Sequence, residues 1–189
     1  MRRFFFALAL LLSVASLARG SEAVADATVR AIDPALSRAQ FSIQHIFVDR
    51  VTGTIPIRGG VVTFTAGSPI PVSVTAVLDA SAVQTDDPDR DNALRSADYF
   101  DTKAFPTWNF ASTKIEPAGV SAFGMDGLLT IHGVSQAEHL DVVLQGDAFH
   151  PIYQATGHID RHAFGMKGAR LDPVIGNTAD VTLKITLQP

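Results

Sequence analysis

Cysteine is absent from all 189 residues. That single absence excludes disulfides, thiolate nucleophiles and Cys-ligated metals together. A domain without disulfides has to be held by its core. Several glycine signatures are missing too. No Walker-type or dinucleotide-binding loop occurs, and no GxSxG turn presents a nucleophilic serine. His158 and His162 lie four residues apart, but along a strand that spacing makes no compact metal site, and no HxH pair joins them. Repeats, Gly/Ser linkers and low-complexity tracts are lacking, so nothing divides the chain into several domains. No constellation of residues argues for catalysis.

Long apolar runs are also scarce. The one at the N-terminus, Phe4 to Leu12, follows Arg2 and Arg3 and precedes the small-residue pattern Ala18-Arg19-Gly20. These are the three parts of a secretory signal. The run is shorter than the roughly 20 residues that cross a bilayer, so cleavage rather than anchoring is expected. The expected organisation is a signal peptide over residues 1–20, cut somewhere between 20 and 25, and one domain over 26–189. Removal of the signal takes three arginines and no acid, leaving 12 basic against 19 acidic residues and a net charge of about −7. Such a chain has no electrostatic reason to seek nucleic acid or an anionic membrane. Export to the periplasm follows as the expectation, with secretion as the alternative and no stable membrane insertion after cleavage.

What is abundant is alternation. Phe41, Ile43, His45 and Phe47 share one parity and Gln40, Ser42 and Gln44 the other. Val72, Val74, Ala76 and Leu78 repeat the pattern, as do Trp108 and Phe110, Leu140, Val142 and Leu144, and Val181, Leu183, Ile185 and Leu187. Period two with one wet and one dry face is the signature of half-buried antiparallel strands. Turn signals such as Gly59-Gly60, Gly67-Ser68-Pro69, Asp126-Gly127 and Gly176-Asn177 punctuate the runs. Regular short strands so spaced indicate an all-β barrel or sandwich.

The alternation stops between Asp79 and Phe105. Asp86-Asp87-Pro88-Asp89 reads as a helix start, with an Asp cap and a proline in the first turn. A short helix through Asp89–Arg95 and another turn near Asp98–Lys103 are expected. In this stretch Arg90, Asp91, Arg95, Asp98 and Asp101 lie beside Tyr99, Phe100, Phe105, Trp108 and Phe110. Either the charges pair in solvent while the rings pack a helix onto a sheet, or they form a polar collar at the edge of an apolar cavity. Arg161, set between Ile159 and Phe164, is expected to pair with a carboxylate, because a buried unpaired Arg is costly. His45 and His132 read first as hydrogen-bonded core histidines.

Five segments together resemble the YceI-like, lipocalin-like family of polyisoprenoid-binding proteins. They are Phe41-Ser42-Ile43-Gln44-His45 with Val48 and Val51-Thr52-Gly53; Arg90-Asp91 through Leu94-Arg95-Ser96 to Asp98-Tyr99-Phe100-Asp101; Phe105-Pro106-Thr107 with Phe110 to Thr113; Gly127 through Ile131-His132-Gly133-Val134; and Ile159-Asp160-Arg161 with Phe164-Gly165-Met166. The chain departs from the family pattern at Leu36, Gln136-Ala137, Asp160 and Ala163, so polar contacts near Leu36 and Ala163 are expected to differ. The resemblance implies an antiparallel lipocalin-like β-barrel of about eight strands with a short helical insertion over one mouth. It also implies a long isoprenoid or similar amphiphilic lipid, of polyprenyl phosphate or quinone type, as ligand rather than a cofactor.

On that reading Phe41, Ile43, Phe47, Phe100, Trp108, Phe110, Leu129, Ile131 and Phe164 are the candidate pore-lining residues. His45, Arg90, Arg95 and Asp98 are the candidates for holding the lipid head or fixing the lid. Two other readings stay open: an enzyme acting on a lipid-like substrate in the same cavity, for which Asp98 with His45 is the pair to inspect, and a stress-response interaction protein whose cavity is incidental. An exposed barrel edge leaves homodimerisation open.

Overall fold

The computed structural model describes residues 27–47, 49–146, 150–167 and 169–189. The expected signal segment, its cleavage window and Val48 lie outside them. The described residues form ten antiparallel strands: β1 (Ala27–Ala31), β2 (Arg38–His45), β3 (Asp49–Ile55), β4 (Ile57–Thr65), β5 (Pro71–Asp79), β6 (Thr107–Pro117), β7 (Ala122–Ile131), β8 (Val134–Gly146), β9 (Pro151–Asp160) and β10 (Ile175–Thr186). One helix, α1 (Pro88–Arg95), sits between β5 and β6. The strands make a single curled sheet in the order β1-β4-β5-β6-β7-β8-β9-β10-β2-β3.

The sheet closes through two devices, which explain why ten strands build a wall about eight staves wide. Only Pro56 separates β3 from β4, and it has no backbone N–H to add to a ladder. The chain bends there, so one continuous run pairs with β2 along its first half and with β5 along its second. The Pro56 carbonyl still accepts from Asp79 N–H at 2.7 Å. At the opposite end, β1 pairs with β4 and also reaches the end of β10. There Asp33 N–H donates to Thr186 O at 2.8 Å and Gln188 N–H to Ala31 O at 2.9 Å. Each terminal strand is thus tied at one end on its outer side, β1 to the end of β10 and β3 through Thr54 to Gln84.

Alternation puts every second residue inside. In β7 the inner row is Phe123, Met125, Gly127, Leu129 and Ile131, all buried. In β6 it begins with Trp108 and Phe110. The β7–β8 hairpin turns on His132 (φ 53°) and Gly133 (φ 73°) alone, with Ile131 paired to Val134. Two positive φ values in a two-residue loop follow the right-handed strand twist. The Phe105 ring also packs on Gly133, where a Cβ would come within 2.6 Å of it. Away from α1, the rings of Phe64, Tyr153 and Phe123 cluster with centroids 6.3 and 6.4 Å apart and floor the barrel.

At the α1 end a buried arginine ties the wall together. Arg161 follows β9 in a 3-10 turn capped by Asp160, whose carboxylate accepts from His162 N–H at 2.9 Å. The Arg161 side chain is 5 % exposed and spends its donors on Gly176 O, Met166 O, Asp172 O, Ile175 O and the Asp172 carboxylate, the last at 2.6 Å. The expected carboxylate partner is thus Asp172, which His162 also meets at 2.8 Å.

Arg161→Ala should lower stability to urea by roughly 3 kcal/mol or more, because four backbone carbonyls lose a charged donor at once. A loss under 1 kcal/mol would show that the mouth does not depend on it. Hydrogen bonds from His162 and Arg161 hold the Asp172 carboxyl below the usual carboxylate range. A group so depressed stabilises the fold above its unfolded pKa and loses that contribution as pH falls through its native one. Urea midpoints of the wild type should therefore drop below about pH 4 more steeply than those of Asp172→Asn. Equal acid limbs in the two proteins would refute this coupling.

Candidate functional site

The barrel interior is not filled. Two adjacent apolar chambers occupy it, with Phe41, Trp108, Ile159 and Val181 lining both at the waist between them. The inner chamber, about 130 Å³, runs toward the aromatic floor between Ile57, Val62, Val74, Phe110, Met125, Leu129, Val142 and Leu183. The outer one, about 350 Å³, lies beneath α1 and is bounded by Ile43, His45, Val51, Leu94, Tyr99, Phe100, Met166 and Ile175. Arg90 and Arg161 reach its edge. The volume of the outer chamber is in the range of small-molecule sites, and the smaller inner one lies beyond the waist.

Two glycines give the waist and bore their width. Phe41 faces Gly53 directly across the β2–β3 ladder, and Phe110 lies beside Gly127 on β7. Each ring lies so close over its glycine that a Cβ there would collide with ring carbons. The rings are thereby laid against the wall instead of projecting across the pore. A glycine within a strand is the sequence signal for such close approach.

Charges around α1 hold the helix in place. A helix of eight residues is marginal alone and needs external fixing. Asp87 caps it, accepting from the N–H groups of Asp89 and Arg90 at 3.1 Å each. Arg90 donates to the Thr85 hydroxyl and carbonyl at 2.9 and 3.0 Å, and Asp91 accepts from Thr85 N–H and hydroxyl at 2.8 and 2.6 Å. Arg95 reaches back to Ser81 O and Val83 O at 2.8 and 3.0 Å. These bonds stitch α1 to the segment leaving β5.

Placement of the expected residues is uneven. Phe41, Ile43, Phe100, Trp108, Phe110 and Leu129 line the chambers, and so do His45 and Arg90. Phe47 does not: β2 ends at His45, the turn breaks the alternation, and Phe47 is 74 % exposed with its ring beside His45. Ile131 and Phe164 are fully buried and lie in the packed wall outside the lining of either chamber. Arg95 is engaged with backbone carbonyls and lines neither chamber. Asp98 is exposed and stands apart from the lining to which His45 contributes, so those two do not converge on the cavity.

Several lining residues were not singled out in advance. Val181 and Leu183 belong to an alternating row visible in the sequence, and so does Val142. Glu138 also borders the inner chamber, where burial, reinforced by the charge of Asp160, pushes its carboxyl up from the usual range. Near it the β8–β9 ladder ends at Leu140 and Gly157. Burial likewise raises the Tyr99 phenol under α1, against the opposing pull of Arg161. Among the described residues, no group of three His, Asp or Glu side chains is arranged to hold a metal ion.

This architecture has known counterparts. The crystal structure of Burkholderia cenocepacia BcnA superposes with a TM-score of 0.73 at 19 % identity, covering 83 % of this chain and 99 % of that one. A polyisoprenoid binding domain from Saccharophagus degradans superposes at 0.66 with 17 % identity, covering 84 % and 97 %. At such identities the likeness establishes the fold. In sequence, a UPF0312 protein of Photorhabdus laumondii is 30 % identical over 151 residues, 77 % of each chain. Protein YceI of Escherichia coli O157:H7 is 30 % identical over 133 residues, 67 % of this chain and 69 % of that protein. Residues 31–187 match the YceI-like domain, and the chain belongs to that family.

Proposed function

We propose that the protein binds one long, mostly apolar lipid of isoprenoid type inside the barrel and carries or stores it in the periplasm. The observation that supports this most is the pair of apolar chambers stacked along the barrel interior, bordered by glycine-seated rings and roofed by a helix. Transfer of a hydrocarbon chain from water into such a bore is favourable by about 0.8 kcal/mol per buried CH₂. The likeness to a domain described as polyisoprenoid binding points the same way, and the signal-like residues 1–20 support export. Binding is favoured over catalysis because the titratable pair that an enzyme would need, Asp98 with His45, is split between surface and cavity. The almost wholly apolar lining of both chambers also argues against an interaction protein with an incidental void.

The full chain, expressed in its native host and released by osmotic shock, should have an intact mass lacking the first 20 to 25 residues. Organic extraction of that material should yield a lipid of defined mass. A protein that carries no lipid, and takes up neither an alkyl benzoquinone nor a polyprenyl phosphate, would end this reading. Gly53→Ala displaces the Phe41 ring toward the waist, and should weaken binding of a long-chain probe by about tenfold while the β-sheet circular dichroism is kept. Unchanged affinity would mean that Gly53 does not set the bore.

A further inference from the structure

We propose that Glu138 is a polar recognition point inside the barrel, and that it accepts a hydrogen bond from a hydroxyl group carried by the bound lipid. This rests on the lipid-binding reading above and narrows the ligand to an uncharged amphiphile that brings an O–H donor. Glu138 stands on β8 two residues before Leu140 and four before Val142, which share its parity and are buried. It lines the inner chamber with them, whereas the side chain of the next residue, His139, is exposed and bonded to Asp126 at 2.6 Å. Directly across the β7–β8 ladder is Gly127, which has no side chain to stand beside the carboxylate and carries the Phe110 ring instead.

The carboxylate has no partner of its own. Among the described residues no hydrogen bond or ion pair reaches it, and the charge that acts on it is the like charge of Asp160. Its oxygens are not sealed off either: among the described residues, the one unpaired side-chain nitrogen or oxygen that is fully enclosed is Trp108 Nε1. A half-buried acid without a counter-charge loses hydration and gains nothing for it, and burial pushes this carboxyl up from the usual range. The alternating pattern asks for an apolar side chain here, as at Leu140 and Val142, and such local conflicts in a foldable sequence mark functional positions.

The wall beside Glu138 is incomplete. The β8–β9 ladder stops at Leu140 and Gly157, and one further inward step would have set Glu138 opposite Ile159, a waist residue. A break of this kind admits water, which keeps the charge tolerable until a ligand displaces it. The ligand then has to supply the hydrogen bond that the water gave up.

The chemistry of the donor follows from the acceptor. An ionised carboxylate only accepts. A phosphate or carboxylate head would meet like charge, and an ether or carbonyl oxygen would set acceptor against acceptor. An ammonium is attracted, but it has three N–H donors to satisfy, and the inner row of Phe110, Met125, Leu129, Leu140 and Ile159 offers no second side-chain acceptor. A hydroxyl has one hydrogen to place and needs one acceptor.

Four probes with the same chain separate these cases: farnesol, its methyl ether, farnesylamine and farnesyl phosphate. Each is titrated into the delipidated periplasmic protein at about pH 8, above the ordinary carboxylate range, by displacement of a fluorescent hydrocarbon-chain reporter. Wild type should bind farnesol about tenfold more tightly than the methyl ether, which keeps the oxygen and loses the donor. Glu138→Leu restores the apolar parity of β8, and should weaken farnesol by that factor while leaving the ether within about twofold. Equal binding of alcohol and ether by wild type, a comparison that needs no variant, would overturn the proposal. So would equal losses for both in the variant, or tighter binding of the amine or the phosphate than of farnesol. Failure of wild type to bind any of the four would instead overturn the lipid-binding reading itself.

Discussion

An interior that stays open is the constraint on which the remaining structure depends. Most small domains gain their stability by filling the space between their elements, at densities close to those of organic crystals. Here the middle of the barrel is a bore, so cohesion has to come from the wall and from its two ends. The wall supplies a ladder of backbone pairs that is interrupted only briefly, bent at Pro56 on one side and completed by β1 on the other. The inner end is plugged by the Phe64, Tyr153 and Phe123 rings, with the Tyr153 hydroxyl donating to Pro69 O at 3.0 Å. At the outer end Arg161 gathers four carbonyls and a carboxylate from the segment 166–176.

The same division of labour explains α1. Its residues show little that would make it helical in isolation, and none of its side chains is fully buried. It persists as a roof because Asp87, Arg90, Asp91 and Arg95 each satisfy backbone or hydroxyl groups of their own or the preceding segment. The charged collar is therefore structural first. Beneath it Leu94, Tyr99 and Phe100 present an apolar ceiling.

Much of this was legible from residue pattern. Period two located the strands and their inward rows, and Asp87 with Pro88 marked the start of α1 in the place where it occurs. The failures have definite causes. Phe47 continues the parity of β2 on paper, but parity has no meaning past His45, where the chain turns. Ile131 and Phe164 read as inward, and they are; inward is not the same as lining, because the wall is thick with packed side chains near the mouth. Arg95 could not be told from Arg90, since which carbonyls lie within reach is decided by the path of residues 80–85. The ten segments still make the expected wall of about eight staves, because Pro56 splits one bent stave into β3 and β4 and β1 runs beside β4 to the end of β10. The glycines at 53 and 127 carry a legible signal in hindsight: residues without side chains within otherwise alternating rows.

Those two glycines have a consequence for how such a protein can diversify. The calibre of the bore is decided by positions that contribute no atoms of their own to ligand contact, while the chemistry of the bore is decided by others. Width and polarity are therefore separately adjustable. A lineage can change the girth of the molecule it accepts by exchanging one small residue in a wall strand, and leave its preference for a given functional group intact.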